Sequence, residues 1–344
     1  LIRIKSLDSD LSNVALVQEI RRELYKARLS GKKVYVYLDG WAPLPSYYLA
    51  SVADTVVMPQ MGAIHQLGIQ FEILKFDELM KKFGVSYHSI NSGKYKVSTS
   101  SLTDPLTLSQ KNTINESLEN IMARVRSDIQ VDRNVSWLKN GNIYDGQIIS
   151  SSEALEYGLV DQVGFWRDMV DIIKDDFSDS YDDVVLVSID EYQLTEDDYL
   201  WSPFNKIAVV EINGPISSGK NTSDFIFGGT KTGSDEISYT MQQLSKDPFL
   251  RGVILRVNSP GGSIIASDQI LNAVNEFKKD TNKPVYASMG TFAASGGYYV
   301  ALGSDKIFAN PATITGSIGV FSGFMNFHEL EKEWGISSES LSTG

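Results

Sequence analysis

The hydrophobic pattern in the second half of the chain predicts strands that alternate with amphipathic helices. The apolar runs at 253–257 and 285–289 are short and bounded by turn residues, as is typical of buried strands. A second helix is expected from Ser295, with another strand at 306–309. This alternation indicates βαβ units and a mostly parallel sheet. Between the first two runs, apolar residues at helical spacing predict the buried face of a helix: Ile270, Leu271, Val274 and Phe277.

The first half of the chain repeats this pattern at a distance of 251 positions. Residues 34–58 align without a gap on 285–309, and residues 1–5 align on 252–256. We therefore expect two copies of one α/β unit, a first repeat at 1–200 and a second repeat at 201–344 that is cut short at its end. The identical pairs include Val34/Val285, Tyr35/Tyr286, Ala42/Ala293, Tyr47/Tyr298, Tyr48/Tyr299 and Asp54/Asp305.

Four segments lie outside the aligned cores. Apolar residues from Ile114 to Ile129 at helical spacing predict a long connecting helix that packs against a domain or a neighbouring subunit. Residues 153–161 predict a helix that ends at Gly158 and runs into a strand. The stretch 168–198 is rich in Asp and is interpreted as a solvated linker. Gly, Ser and Thr dominate residues 217–233, which we expect to form a mobile loop beside the second copy that can cover a substrate cleft.

One position differs chemically between the copies. The second copy reads Ala-Ser-Gly-Gly at 294–297, where the first reads Pro-Leu-Pro-Ser at 43–46, so Leu44 stands in the place of Ser295. The N–H groups at a helix start favour a developing oxyanion, so this serine is a candidate nucleophile. The alternative is that it only caps the helix. Gly261 and Gly262 follow a strand and would let backbone amides approach a ligand, although such glycines also occur as simple turn formers.

Composition narrows the class of chemistry. The chain of 344 residues has 42% hydrophobic and 22% charged residues, as expected for a soluble globular protein. Its net charge of -12 argues against nucleic acid as a partner, because phosphate binding requires clustered Lys and Arg. It contains no cysteine, which excludes disulfides, thiolate catalysis and Cys-ligated metals. No stretch approaches the roughly 20 apolar residues that span a bilayer.

A serine nucleophile needs a base. The histidines are His65, His88 and His328; none falls in a glycine-framed turn, and the chain has no G-x-S-x-G elbow. Lysine is the other known base, provided that burial lowers its pKa enough to leave the amine neutral. The Ser-Gly-Lys-Tyr-Lys run at 92–96 supplies two candidates, Lys94 and Lys96.

The motifs taken together resemble the signal peptide peptidase A family of S49 serine peptidases. The resemblance rests on Asn-Ser-Pro-Gly-Gly-Ser at 258–263, Ala-Ala-Ser-Gly-Gly-Tyr at 293–298 and Thr-Gly-Ser-Ile-Gly at 315–319. Tyr-Tyr-Leu-Ala-Ser at 47–51 and Gly-Lys-Tyr-Lys at 93–96 look like the amino-terminal half of the long, two-repeat members. The resemblance implies an α/β fold of tandem crotonase-like and Clp-peptidase-like repeats with parallel sheets and a helical connecting segment.

The resemblance also implies a role for each site residue. Ser295 is expected to be the nucleophile and Lys96 its general base, with Ser317 hydrogen-bonding the lysine amine. The amides of Gly262 and Gly296 are expected to form the oxyanion hole. Both repeats would contribute to one site, and the first repeat's own site would be inactive because of Leu44. No cofactor or metal is expected.

The resemblance further implies a peptidase for hydrophobic peptides such as cleaved signal peptides. We expect a homo-oligomer, a tetramer, held at the bacterial cytoplasmic membrane by a segment absent from this chain, with the catalytic part on the periplasmic side. The natural protein is expected to begin before Leu1 and to continue past Gly344. Two alternatives stay open: a crotonase-like acyl-CoA enzyme, and a catalytically silent scaffold at the membrane.

Overall fold

The computed structural model describes residues 1–5, 7, 12–65, 67–93, 96, 100, 102–135, 143, 146–177, 185–187, 205–223 and 229–337. In the first repeat the strands are β1 Ile2–Ile4, β2 Tyr35–Leu38, β3 Trp41–Ala42, β4 Thr55–Met58, β5 Ala63–Ile64, β6 Ser86–Asn91, β7 Ile149–Ser150 and β8 Gln162–Val163. Its helices are α1 Ser12–Leu29, α2 Leu44–Ala50, α3 Asp77–Lys82, α4 Leu108–Arg133, α5 Ser151–Glu156 and α6 Trp166–Phe177.

The second repeat begins at β9. Its strands are β9 Lys206–Asn213, β10 Ile216–Ser217, β11 Thr222–Ser223, β12 Thr230–Gly233, β13 Leu250–Ser259, β14 Val285–Ala294, β15 Lys306–Phe308, β16 Ile314–Gly316 and β17 Phe321–Asn326. Its helices are α7 Ser234–Ser245, α8 Ile264–Thr281, α9 Gly296–Ala301 and α10 His328–Glu333.

Two parallel sheets form the centre of the two repeats. In the first repeat the strand order is β1-β2-β4-β8, and in the second it is β15-β14-β13-β9 with β16 also paired to β14. The register is kept between copies: Tyr35 lies opposite Thr55, and Tyr286 lies opposite Lys306. The prediction of an α/β fold with parallel sheets is confirmed.

The helices follow the predicted periodicity. In α8 the side chains of Ile270, Val274 and Phe277 are buried in the core of the second repeat. The predicted connecting helix is α4, which begins with a capping box at Thr107 and packs Ile121, Met122, Val125 and Ile129 into the core of the first repeat. The predicted short helix is α5, followed by Gly158 with a φ of +73° and then by β8.

The prediction of a loop at 217–233 is wrong for the part that the structure describes. Three short strands, β10, β11 and β12, pair there into a small sheet. Thr232 explains part of this order, because its buried hydroxyl donates to the carbonyl of Asn213 and accepts from the Asn213 amide. Polar composition alone does not predict that the Thr232 hydroxyl pairs with the backbone of Asn213 at the end of β9.

The two repeats contact each other at two places that matter for the site. Strand β6 of the first repeat pairs antiparallel with β17 of the second over six residue pairs, from Phe321 opposite Asn91 to Asn326 opposite Ser86. Helix α1 of the first repeat packs against β14 of the second. Among the described residues, no helix has both the length and the apolar character required to cross a membrane.

Candidate active site

Lys96 is carried to the second repeat by the β6–β17 pairing. The Ser92 amide continues the ladder by donating to the carbonyl of Val320 at 2.9 Å, and a turn follows in which the Lys96 amide donates to the carbonyl of Gly93 at 3.2 Å. This approach requires a glycine at 319, where φ is +142° and an added Cβ would collide with the carbonyl oxygen of Ser92. The Lys96 side chain therefore extends over the segment that follows β16.

Ser295 lies at the junction of β14 and α9 in a strained backbone conformation. Its φ is +54° and its ψ is -119°, a region that residues with a Cβ seldom occupy. Its side chain makes no capping hydrogen bond to α9, so the simple helix-cap interpretation does not account for it. The Ser295 amide donates to the carbonyl of Gly316 at 2.9 Å, which holds the turn against β16.

The structure brings three predicted side chains together. The Nζ of Lys96 lies 2.6 Å from the Oγ of Ser295. The same nitrogen lies 2.5 Å from the carbonyl oxygen of Ser317 and 3.2 Å from its Oγ. Ser317 also has a left-handed backbone, with a φ of +49°. Lys94, the other candidate base, lies outside the described residues.

Burial shifts the Lys96 amine toward its neutral form. Lys96 is half-buried, and the loss of hydration lowers the pKa of its amine below the ordinary value of 10.5. An ion pair with a carboxylate would raise this pKa, but in the part of the chain that the structure describes no carboxylate pairs with the amine. The histidines lie elsewhere: His65 packs against Trp41, His88 stacks on Phe324, and His328 begins α10.

The turn at 261–262 lies directly against Ser295. An ideal Cβ on Gly261 would lie 2.6 Å from the nitrogen of Gly296 and 2.8 Å from the Cβ of Ser295, and one on Gly296 would lie 3.2 Å from the nitrogen of Gly262. This close packing of backbones is what the glycines permit. Among the described residues, neither the Gly262 amide nor the Gly296 amide donates a hydrogen bond. Two adjacent amides beside a hydroxyl are thus available to an external acceptor.

The matching position in the first repeat has no such chemistry. Leu44 begins helix α2 with 3% of its surface exposed, and every residue of α2 is buried. The neighbouring Tyr47 hydroxyl donates to the carbonyl of Leu159 within the core. The duplicated turn thus serves packing in one copy and places a half-buried hydroxyl against Lys96 in the other.

Comparison with known proteins identifies the family. The model of peptidase family S49 matches residues 26–178 and 277–344. The chain belongs to peptidase family S49. The S49 match includes Lys96, Ser295, Gly296 and Ser317, whereas Gly262 lies between the two matched segments.

The similarity to two curated relatives extends over nearly all of this chain. It is 32% identical over 326 residues to Protease 4 of Haemophilus influenzae, covering 91% of this chain and 52% of that protein. It is 29% identical to Protease 4 of Salmonella typhi, covering 94% of this chain and 52% of the relative. The chain thus spans about half the length of the curated relatives that it matches.

Solved structures match smaller parts of the chain. A mutant of the 1510-N membrane-bound stomatin-specific protease is 24% identical, covering 30% of this chain and 42% of that one, with a TM-score of 0.23. A mutant of ClpP1 from Listeria monocytogenes is 20% identical, covering 28% and 46%, with a TM-score of 0.21.

Two glycines of the candidate site have roles that the sequence alone does not predict. Gly316 supplies the carbonyl that holds the Ser295 amide, and Gly319 permits the approach of Ser92. The spacing of these glycines on either side of Ser317 was the available signal. Sequence alone does not show that one holds the nucleophile turn and the other admits the strand that carries Lys96. In the described part of the chain, no group of three or more His, Asp or Glu side chains is arranged to hold a metal ion.

Proposed function

We propose that this chain is a serine peptidase in which Lys96 is the general base for Ser295. The observation that carries the proposal is the 2.6 Å separation of Nζ and Oγ, together with the two contacts from Nζ to Ser317. A neutral amine has two N–H donors and one lone pair. The carbonyl oxygen of Ser317 can only accept and its hydroxyl can accept, so they use both donors. The lone pair is left for the hydroxyl proton of Ser295.

The first half of the reaction forms an acyl-enzyme. As the Ser295 Oγ bonds to the substrate carbonyl carbon, its proton passes to the Lys96 amine. The carbonyl oxygen becomes an oxyanion, which the amides of Gly262 and Gly296 stabilise. When the C–N bond breaks, the Lys96 ammonium returns its proton to the leaving amine. The product amine departs, and the acyl group remains as an ester on Ser295.

Water then completes the cycle. Neutral Lys96 takes a proton from the water as its oxygen attacks the ester carbonyl, and the same two amides hold the second oxyanion. Collapse of this intermediate breaks the bond to Oγ, and the lysine proton returns to Ser295. The serine, the neutral amine and the empty site are restored without a cofactor.

The proposed substrates are hydrophobic peptides, including the remnants of cleaved signal peptides. Exposed apolar side chains on the two segments that carry Lys96 and Ser317 support this class. Ile90 is 73% exposed at the end of β6, Ile318 is 77% exposed next to Ser317, and Val320 is 50% exposed. An extended apolar peptide would cover these side chains and remove apolar surface from water.

The setting of the whole protein is also a proposal. The family resemblance supports a homo-oligomer, expected to be a tetramer, at the bacterial cytoplasmic membrane with its catalytic part on the periplasmic side. Cross-linking of the protein in native membranes, followed by protease accessibility from each side, would test both statements. A monomer exposed to the cytoplasm would contradict them.

The function itself is tested by labelling and turnover. The parent should react with a fluorophosphonate at Ser295 and cleave a quenched apolar peptide, whereas Ser295→Ala should do neither. Lys96→Ala should lower the cleavage rate by about 10²–10⁴, the range for losing a general base. Lys75→Ala is the matched control, because Lys75 is also a lysine whose pKa is lowered by burial but binds Ser100 and Thr103 instead. Turnover of a CoA thioester without labelling of Ser295 would favour the acyl-CoA alternative.

A further inference from the structure

A carboxylate of the first repeat is bound by the second repeat, away from the lysine and serine. Glu19 lies on α1, and the guanidinium of Arg256 donates to both of its oxygens, at 2.8 Å to Oε1 and 2.9 Å to Oε2. The same guanidinium donates to the hydroxyl of Ser288 at 2.9 Å. The side chains of Glu19 and Arg256 are 24% and 27% exposed, so the pair is largely shielded from water. A two-pronged contact of this kind fixes orientation as well as distance.

The Glu19 carboxylate also holds the segment after β15. The side-chain amide of Asn310 donates to Oε1 of Glu19 at 2.7 Å. The preceding residue, Gln18, accepts a hydrogen bond of 2.9 Å from the amide of Ala312. Two consecutive residues of α1 therefore bind the backbone and a side chain at 310–312.

This segment leads directly into the candidate active site. The backbone amide of Asn310 donates to the hydroxyl of Thr313, which in turn donates to the carbonyl of Gly290 on β14. Strand β16 follows and pairs with β14. The strand ends at Gly316, whose carbonyl accepts from the Ser295 amide, and the next residue is Ser317, which binds the Lys96 amine.

We propose that Glu19 is a positioning residue that sets the placement of Lys96 against Ser295 and Ser317 through its contacts with Arg256 and Asn310. The proposal rests on the proposed function, since it concerns the same lysine and serine. Lys96 reaches the second repeat at the end of the two-stranded β6–β17 pair. A two-stranded ribbon by itself is only marginally stable in water, so a second link between the repeats is needed to fix its position. Glu19 supplies that link.

The sensitivity of the chemistry to small shifts makes this link consequential. A displacement of about 1 Å at reacting groups can cost roughly 10²-fold in rate. Loss of Glu19 leaves Arg256 and Asn310 without their shared acceptor, and the segment 310–317 keeps only the Gln18–Ala312 hydrogen bond to α1. Ser317 then no longer presents its carbonyl and hydroxyl to Lys96 in a fixed arrangement. The lysine amine is less desolvated as a result.

The test uses a readout that does not depend on peptidase activity. Competitive acetylation of lysine amines over a pH series, quantified by mass spectrometry on the peptide that contains Lys96, reports the pKa of that amine in the whole chain. In the parent this pKa should lie below 10.5, as burial dictates. In Glu19→Ala it should rise toward 10.5, with kcat for peptide cleavage falling about tenfold or more and KM unchanged.

Glu23→Ala is the matched control. Glu23 lies one helical turn further along α1 and pairs with Lys26 at 2.9 Å and Arg22 at 3.3 Å within the same helix. It should leave the Lys96 titration unchanged. Asn310→Ala, which removes one donor to Glu19 and leaves the ion pair, should shift the titration in the same direction by a smaller amount. It also serves if Glu19→Ala does not fold.

The outcomes separate the two proposals. A parental Lys96 titration in both Glu19→Ala and Asn310→Ala would overturn the role of Glu19, whatever the peptidase activity. An equal shift in Glu23→Ala would also overturn it, because the change in the Lys96 pKa would then not depend on the contacts of Glu19 with Arg256 and Asn310. If the parent cleaves no peptide while the Glu19 variants still shift Lys96, the positioning role stands and the peptidase proposal fails.

Discussion

The amide of Ser295 donates a hydrogen bond of 2.9 Å to the carbonyl of Gly316, so the turn that presents the hydroxyl is bonded to the segment that binds Lys96. Both Ser295 and Ser317 have left-handed backbone conformations, at φ values of +54° and +49°. Such conformations cost on the order of 1–3 kcal/mol each and persist only where surrounding structure imposes them. The pairing of β14 with β16 provides that constraint.

The pH dependence of activity should report the Lys96 amine. Only the neutral amine can accept the serine proton, so kcat/KM should rise with pH and level off above the Lys96 pKa. Burial lowers that pKa, so the midpoint should lie below 10.5. Rates of peptide cleavage over a pH series, compared with the Lys75→Ala control, would measure it. A midpoint at or above 10.5 would contradict a desolvated base.

The free energy of unfolding should also depend on pH through the Lys96 amine. Between the lowered pKa of Lys96 and 10.5, the folded state holds the neutral amine while the unfolded state still binds the proton. The unfolded state then binds more protons, so the free energy of unfolding should rise with pH across this window. Denaturant unfolding of the parent and of Lys96→Met would show the parent gaining stability relative to the variant as pH increases. A loss of stability of the parent relative to Lys96→Met as pH increases would contradict a lowered pKa for Lys96.

Gly319 should be required to place the lysine. In Gly319→Ala, the added Cβ collides with the Ser92 carbonyl, which separates β6 from the segment beside Ser317. We expect a loss of about 10² in cleavage rate, as for a displacement of roughly 1 Å at the reacting groups. Gly335→Ala is the control, because Gly335 also has a positive φ of +68° but meets nothing within 4 Å. Equal activity of the two variants would show that the collision with the Ser92 carbonyl does not displace Lys96.

Much of the architecture was predictable because it follows from local periodicity. The helical spacing of Ile270, Val274 and Phe277 predicts α8, and the short apolar runs predict β13 and β14. The self-alignment separates Ser295 from Leu44, since only one copy places a hydroxyl in the shared turn. These inferences need no knowledge of distant contacts.

Other features depend on residues far apart in the chain. The pairing of β6 with β17 joins the two repeats, and nothing in the residues 86–91 alone identifies 321–326 as their partner. The left-handed backbone of Ser295 and Ser317 is imposed by β14, β16 and the glycine turn, since serine has no intrinsic preference for it. The contact of Glu19 with Arg256 is likewise tertiary, because an acidic residue on a predicted helix is most often solvated.

Breaking a buried ion pair in the first repeat should destabilise the protein. Arg21 binds Asp132, the Tyr48 carbonyl and the Ser51 hydroxyl, and the Arg21 and Asp132 side chains are each 9% exposed. Arg21→Met should lower the free energy of unfolding by about 3–5 kcal/mol, because it leaves a buried carboxylate unpaired. Denaturant titration would measure the loss, and Asp132→Leu in the same chain should recover much of it. The neighbouring Arg22→Met, at a side chain that is 63% exposed, should change little.

Ser317 should act on the rate through its hydroxyl while its backbone contact remains. Ser317→Ala removes the Oγ that lies 3.2 Å from Nζ but keeps the carbonyl that lies 2.5 Å away. One hydrogen bond contributes about 1 kcal/mol, so kcat should fall roughly five- to tenfold, far less than for Lys96→Ala. Ser322→Ala, at an exposed serine on β17, is the control and should match the parent. A loss in Ser317→Ala as large as that in Lys96→Ala would mean that the hydroxyl itself transfers the proton, which the lone-pair arrangement of Lys96 does not require.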